Sequence, residues 1–335
     1  MADLFKVGTF NLYNFVLPNV KYYGSNKYND EVYAKKIAWI GTQLSRMRAD
    51  VVGFQELFHP EAIKTVIDSI EAYKGATLIA DERYDDNGQP LPTNALLSRL
   101  PVVESSMIVN FPTAAQVNYG NQTVPITEFS RPVVRAKLRM DNGEDMMVFV
   151  AHLKSKRPMI EDDEDRNDPL AEAMGKARSL IRRAAEAIAL RHSIVDVMRE
   201  TQMPVVVLGD MNDSVTAVTS DILAGSQPWR FLPFERKKAV WDVLLYNVKD
   251  IQAKRAYHDV YYTHIYNGHY EALDHIYVSE EFVYENRDRI GAVKAVRVYN
   301  DHLADDSLGG EDIEKWQSDH GQVVAEIALE KPEEV

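Results

Sequence analysis

The chain has 335 residues, 45% of them hydrophobic, enough to bury a large core as one big domain or two ordinary ones. It has no cysteine, which excludes a disulfide framework, a thiolate metal site and a cysteine nucleophile, so any metal must sit on oxygen or imidazole. A formal net charge of −13 argues against coating nucleic acid through a general basic field, and no run approaches the roughly 20 apolar residues of a bilayer span.

The opening MADLFKVGTF has neither a basic nor an apolar signal region, so a cytoplasmic location is expected. Residues 5–15 read as a strand with polar residues at its end. Apolar side chains at 33, 37, 40, 44 and 47 recur three and four apart, the stripe of a helix over 30–48 with Asp30 as N-cap. A second strand, 49–57, again ends in polar residues, and a helix over 60–71 follows. Strands come next at 94–99, 133–140 and 145–155. The acid run at 159–169 lacks an apolar period, so 157–169 reads as a surface loop. Residues 170–200 are rich in strong helix formers and predict one long helix leading to VVVLGDMND, residues 205–213. Across 257–279, two aromatic and β-branched runs flank Asn267-Gly268, the strongest short hairpin signal. Strands at 292–300 and 320–329 complete the chain. No repeat or linker divides it, so 1–335 reads as a single α/β domain of two packed sheets, with 226–256 an insertion that shapes a wall of its own.

Polar groups recur at strand ends: Asn11 and Asn14, Gln55 and Glu56, His152, Asp210 and Asn212, Asp274 and His275, Asp319 and His320. Successive side chains of a strand point to opposite faces. Asp210 and Asn212 therefore share a cleft if extended geometry continues past Gly209, whereas at most one of Asp274 and His275 enters it. Carboxylate and amide oxygens without thiolate select hard cations, and magnesium needs only one or two carboxylates. Glu56 with Asn11 fits that demand, while Asp319-His320 sets an imidazole beside a carboxylate. One metal and one polarised imidazole suit attack on a phosphate ester. Arg131 is a candidate to grip a phosphate in a fork. Lys154, with Lys156 and Arg157, either steers an anionic substrate or forms an ordinary basic loop. Asp301-His302 repeats the Asp-His dipeptide with no strand behind it, so it belongs at the cleft rim or on the surface, and Phe10, Tyr13 and Phe15 read as core and rim.

TFNLYN, GFQE, NALLSR, VAHLKSK, GDMND, LDHIYVS and SDHG stand in the order and approximate spacing of the endonuclease/exonuclease/phosphatase superfamily, which the chain resembles from Thr9 to Gly321. The resemblance implies a four-layer α/β/β/α sandwich, two mostly antiparallel sheets face to face with helices outside, and a site at one end where strands stop. It implies Asn11 and Glu56 as the metal pair for Mg2+ or Mn2+, with Glu56 the direct ligand. Asp210 is similar to the residue that positions or deprotonates the attacking water, and Asn212 and His152 to donors that hold the phosphate. Asp274 resembles the acid oriented toward the terminal histidine, and Asp319 with His320 the terminal catalytic pair; whether His320 is base or charge stabiliser stays open.

The implied reaction is water attack on phosphorus by a divalent-metal-dependent phosphodiester hydrolase. A nuclease cleaving DNA or RNA leads the expectations, because HLKSK and the aromatic cluster Tyr257, Tyr261, Tyr262 and Tyr266 resemble the nuclease-like bacterial branch, and rings beside a cleft stack on bases. The alternatives are a phosphatase or phosphodiesterase of small-molecule or lipid phosphoesters, which the acidic charge tolerates more easily, and a non-catalytic binding module.

Overall fold

The computed structural model describes residues 4–201, 203–254, 261–305 and 314–330. Two six-stranded sheets carry the fold. The first runs, edge to edge, Gly291–Tyr299, Gln322–Leu329, Leu4–Phe15, Val51–Leu57, Thr93–Ser98 and Thr77–Ala80. The second runs Tyr246–Asn247, Asp274–Val278, Val205–Asp210, Asp145–His152, Glu128–Arg139 and Val102–Asn110. Neighbours are antiparallel except for one pair per sheet: Leu4–Phe15 with Val51–Leu57, and Asp145–His152 with Val205–Asp210. Parallel neighbours need a long crossover, and helices Asp30–Met47 and Pro169–Thr201 supply the two.

Side-chain alternation turns these sheets into four layers. Val206 and Leu208 point into the core between the sheets with Val7, Val51, Val150 and Ile276. Val205 and Val207 point outward under the long helix, against Leu190 and Ile194. Val52 and Phe54 likewise turn outward toward Ile40, Leu44 and Val66 on the helices over the first sheet. Strands covered on both faces read as unbroken apolar runs, which is why VVVL carries no polar alternation. The sheets approach closely at Gly53, where an added Cβ would lie 2.9 Å from Val150 Cγ1. The α/β/β/α sandwich is the architecture anticipated.

Several details differ from the sequence reading. The N-cap of the first helix is Asn29, whose side chain accepts from Val32 N at 2.8 Å; Asp30 instead lies in the first turn, where its charge faces the positive end of the helix dipole. The second helix stops at Asp68, with a 3₁₀ turn at Glu71–Tyr73. Strands Thr77–Ala80 and Val102–Asn110 were not anticipated. Each is a sheet edge with few buried side chains, so its hydrophobic signal is weak. Residues 157–169 lie outside regular structure until the helix begins at Pro169, but the acid run is pinned to that helix by Arg178, which reaches Glu164 at 2.6 Å. The 226–256 segment contains helices Phe234–Trp241 and Val248–Ala253. Asn267 and Gly268, with φ of 48° and 74°, turn the short hairpin His264–Tyr266 to His269–Glu271 as its signal predicts. Residues 257–260 of the anticipated hairpin, Tyr257 among them, lie outside the described residues. No described helix is long and apolar enough to cross a membrane.

Candidate active site

The polar ends of strands from both sheets meet. Asn11 Nδ2, on the first sheet, donates to Asp210 Oδ2 on the second at 3.1 Å, across 199 positions of sequence. Register explains the rest of the cluster: His152 and Asp274 are the cross-strand partners of Asp210 on its two sides, so the three stand in a row. His152 Nε2 lies 3.3 Å from Asp210 Oδ2 and His320 Nε2 3.8 Å from it. His320 Nδ1 is 2.7 Å from Asp274 Oδ2. Its backbone is fixed by Ser318 Oγ, Gln322 Nε2 and His302 Nε2. Asp274 enters the cleft, and His275 faces the other way to Asn247 and the Asp213 carbonyl, as strand alternation requires.

Extended geometry continues past Gly209 only as far as Asp210. Gly209 has φ of 151°, and a Cβ there would lie 1.8 Å from the Ala151 carbonyl oxygen, so only glycine is accepted. The strand ends at Asp210, and Asn212 adopts φ of 55°. A tight turn, rather than an extended face, brings the two together: Asn212 N donates to Asp210 Oδ1 at 2.9 Å. Asn212 Nδ2 gives one hydrogen to the Leu153 carbonyl at 3.0 Å, leaving its second amide hydrogen for a ligand.

Left-handed backbone recurs at the metal candidates. Tyr13, Asn14 and Glu56 have φ of 51°, 55° and 59°, and the register between their strands shifts there. Each such residue costs on the order of 1 kcal/mol or more, so neighbouring contacts must hold the bulge. Asn14 N donates to Glu56 Oε2 at 2.8 Å, and the Tyr13 carbonyl accepts from Lys36 Nζ at 2.9 Å and Tyr28 hydroxyl at 3.2 Å. Lys36 is fully buried, and burial holds its ammonium down to about 7 against the opposing pull of Asp319 and Glu56. Sequence reading missed it, because a lysine beside a helix stripe ordinarily faces water.

The charges are arranged asymmetrically. Burial pushes the Asp210 carboxyl up to about 7; the His320 cation draws it back, and Asp274 raises it. Burial opposes protonation of His320, but Asp274 and Asp210 lift it well above its ordinary value. His152 is lowered well below its ordinary value by burial, with Arg131 and His320 adding to the effect, so it is neutral. Burial raises Asp319 against the His320 cation.

The donor set fits a hard divalent cation. Asn14 Oδ1, Asp274 Oδ1 and Asp319 Oδ1 are buried acceptors without a hydrogen-bond partner among the described residues, an arrangement that a bound cation or water relieves. Two triads bring ligand atoms within 4.8 Å of one another: Asp210, Asp274 and His320, and His264, Asp319 and His320. Glu56 stands in neither triad but lies close enough to raise Asp210 and Asp319. Asn11 faces Asp210 more directly than Glu56, and its Oδ1 accepts from Tyr13 N at 3.0 Å. His264, whose ring centroid is 4.9 Å from that of His320, was missed by sequence reading; its spacing two before Tyr266 on the hairpin was the available signal.

On the flank, Arg131 Nε is buried without a partner among the described residues, and its guanidinium lies near the exposed ring of Tyr23. Lys154 lies nearby, but its ammonium turns to Ser155 and the Arg157 carbonyl rather than to a free face. Both segments hang on Glu186 of the long helix, a buried carboxylate that accepts from Ser130 N at 2.9 Å and Lys154 N at 2.6 Å. Glu186→Ala is expected to cost about 3 kcal/mol of stability, read by urea denaturation, because several buried donors lose one acceptor.

Of the expected aromatic cluster, Tyr261 packs against the core between the sheets and reaches the Asp274 carbonyl, and Tyr262 is edge-on to Tyr270. Tyr266 alone of the described members is exposed, stacked on His264 at 6.4 Å. Phe10 and Phe15 are core and Tyr13 half-buried, as anticipated. Asp301 is an exposed partner of Arg46, and His302 is half-buried with its Nε2 3.0 Å from the His320 carbonyl oxygen, beside the cleft. Exposed ion pairs contribute little, so Asp301→Ala is expected to leave the turnover rate unchanged in a phosphoesterase assay.

Similar folds place the chain among known proteins, although no curated protein matches it in sequence. The human Nocturnin catalytic domain with bound sulfate is 13% identical with a TM-score of 0.58, covering 98% of each chain. A mannosyl-6-phosphatase of Bacteroides thetaiotaomicron is 16% identical with a TM-score of 0.56, covering 97% of this chain and all (100%) of that one. TDP2 of D. rerio in complex with a single-strand DNA product is 14% identical with a TM-score of 0.53, covering 97% and 99%. At such identities these likenesses speak to the fold alone. The family model of the endonuclease/exonuclease/phosphatase family matches residues 8–320, nearly the whole chain, and the protein belongs to that family.

Proposed function

We propose that the protein is a divalent-metal-dependent phosphodiester hydrolase that cleaves nucleic acid. The observation that carries the reaction is the position of Asp210, held by Asn11 and the Asn212 backbone between neutral His152 and cationic His320. Glu56, with Asn11 beside it, would hold Mg2+ or Mn2+, and such an ion supplies neutralisation of charge developing on phosphate oxygen. Asp210 orients the attacking water and receives its proton; the water oxygen bonds to phosphorus as the opposite P–O bond breaks, and the leaving oxygen takes a proton from solvent. His320, kept protonated by Asp274 at 2.7 Å, donates to a non-bridging oxygen, and Asp319 helps hold it in the protonated form. The second hydrogen of the Asn212 amide and the unpartnered Nε–H of Arg131, whose guanidinium also meets the Tyr23 hydroxyl, grip the remaining oxygens, and Lys154 contributes to the local positive field.

Nucleic acid is favoured as substrate by the rings that lead outward from the site. His320, His264 and Tyr266 follow one another, and Tyr266 is 64% exposed, free to stack on a base. A small phosphoester is the second reading, favoured by the net charge of −13. The two are separated by assaying plasmid, single-stranded DNA, RNA and bis-p-nitrophenyl phosphate with magnesium, manganese or EDTA. Metal-dependent cleavage of a nucleic acid, lost in EDTA, is expected. Hydrolysis of the small ester alone would overturn the nuclease reading, and full activity in EDTA the metal role.

A further inference from the structure

Residues 229–241 take no part in the site. Trp229, Phe231 and Phe234 are 66%, 62% and 67% exposed, and helix Phe234–Trp241 has no buried residue. Three large rings this bare within six positions are an exposed apolar stretch of the kind that marks an interaction face. Arg230, Arg236, Lys237 and Lys238 stand among them against one acid, Glu235; Lys238 lies near enough to Glu280 to draw its carboxyl down, while Lys237 Nζ meets the Arg230 carbonyl. A chain of net charge −13 thus carries a local stretch that is both aromatic and, with four cations to one acid, basic.

We propose that this face docks on an anionic lipid surface. Rings entering the boundary between headgroups and acyl chains, with cations beside them to meet lipid phosphate, are the combination that holds a peripheral protein on a bilayer. The ring geometry disfavours nucleic acid. Trp229 and Phe231 meet edge to face, as do Phe234 and Trp241, and the Arg230 guanidinium covers the Phe231 ring at 4.5 Å, so that this ring offers no clear platform for a base. The segment rejoins the second sheet at Tyr246, paired with Val278, at the end of that strand remote from Asp274. Docking there would leave the cleft open. The inference stands on this face alone and does not depend on the substrate proposed above.

The test is co-sedimentation of the full chain with vesicles of phosphatidylcholine alone or mixed with phosphatidylglycerol. Binding only to the mixed vesicles, weakened by salt, is expected. Combined Trp229→Ser, Phe231→Ser and Phe234→Ser should lower it at least about tenfold. Combined Arg230→Glu and Lys238→Glu, which leaves the rings in place, should lower it about fivefold or more per residue. Far-UV circular dichroism and the urea unfolding midpoint of both variants should match wild type, which certifies their folding. Failure of the wild type to bind mixed vesicles, or equal binding by a folded variant, overturns the proposal. So would binding of a single-stranded oligonucleotide, or a dimer seen by sedimentation, that depends on these residues instead.

Discussion

Asp210→Asn is expected to lower turnover on the order of 10³- to 10⁴-fold, as loss of a general base does, while raising the melting temperature in EDTA. The two effects share one cause. Burial pushes the Asp210 carboxyl up from 3.8 to about 7, so between those values the folded state holds a proton that the unfolded chain has released. Stability therefore falls as pH rises through that window, and above it the ionised, buried carboxylate is a standing cost. Asparagine keeps the shape without the charge, so its advantage should grow from pH 4 toward about 7 and then level. Thermal melts across that range, paired with rates on the proposed substrate, check both halves. Wild-type turnover would remove Asp210 from the mechanism; a lower melting temperature at neutral pH would show that the carboxylate stabilises the fold.

His320→Ala is expected to reduce turnover on the order of 10²- to 10³-fold, as removal of a charge-stabilising donor does. The conservative partner of that test is Asp274→Asn, which leaves the imidazole in place. The dependence of kcat/KM on pH should rise through about 7 as Asp210 ionises and fall on the alkaline side as His320 loses its proton. These limbs belong to the coupled pair rather than to either residue alone. Because Asp274 is the largest influence lifting His320 and also raises Asp210, Asp274→Asn should bring the alkaline limb to lower pH and relax the acid limb downward with it. An unmoved alkaline limb would mean that His320 is not held protonated for the reaction.

Glu56 and Asp319 show how far such roles could be read from residues in order. Both lie at strand ends, and their motifs marked them, but their strain and burial are consequences of packing. Glu56 takes its left-handed conformation because the neighbouring strand bulges at Tyr13 and Asn14, and Lys36 from a helix holds that bulge. Nothing within the GFQE stretch announces a lysine twenty residues earlier. Glu186 is equally silent, one of four acids spread along a 33-residue helix until Ser130 and Lys154 are found donating to it. The edge strand Val102–Asn110 escaped because Glu104, Ser105 and Ser106 face water and break the apolar alternation.

What the sequence by itself determined was the set of buried strands and the polar groups at their ends, because apolar runs such as VVVL have only the inside of a two-sided sheet to go to. Alternation further decided that Asp274 and His275 point apart. Only the tertiary structure decided which ends meet. The pairing of His152, Asp210 and Asp274 across three strands is a matter of register, and the approach of Asn11 and His320 depends on one sheet packing over the other. Those are relations between segments up to hundreds of residues apart, set by the closeness of two packed sheets, and no local pattern of residues encodes them.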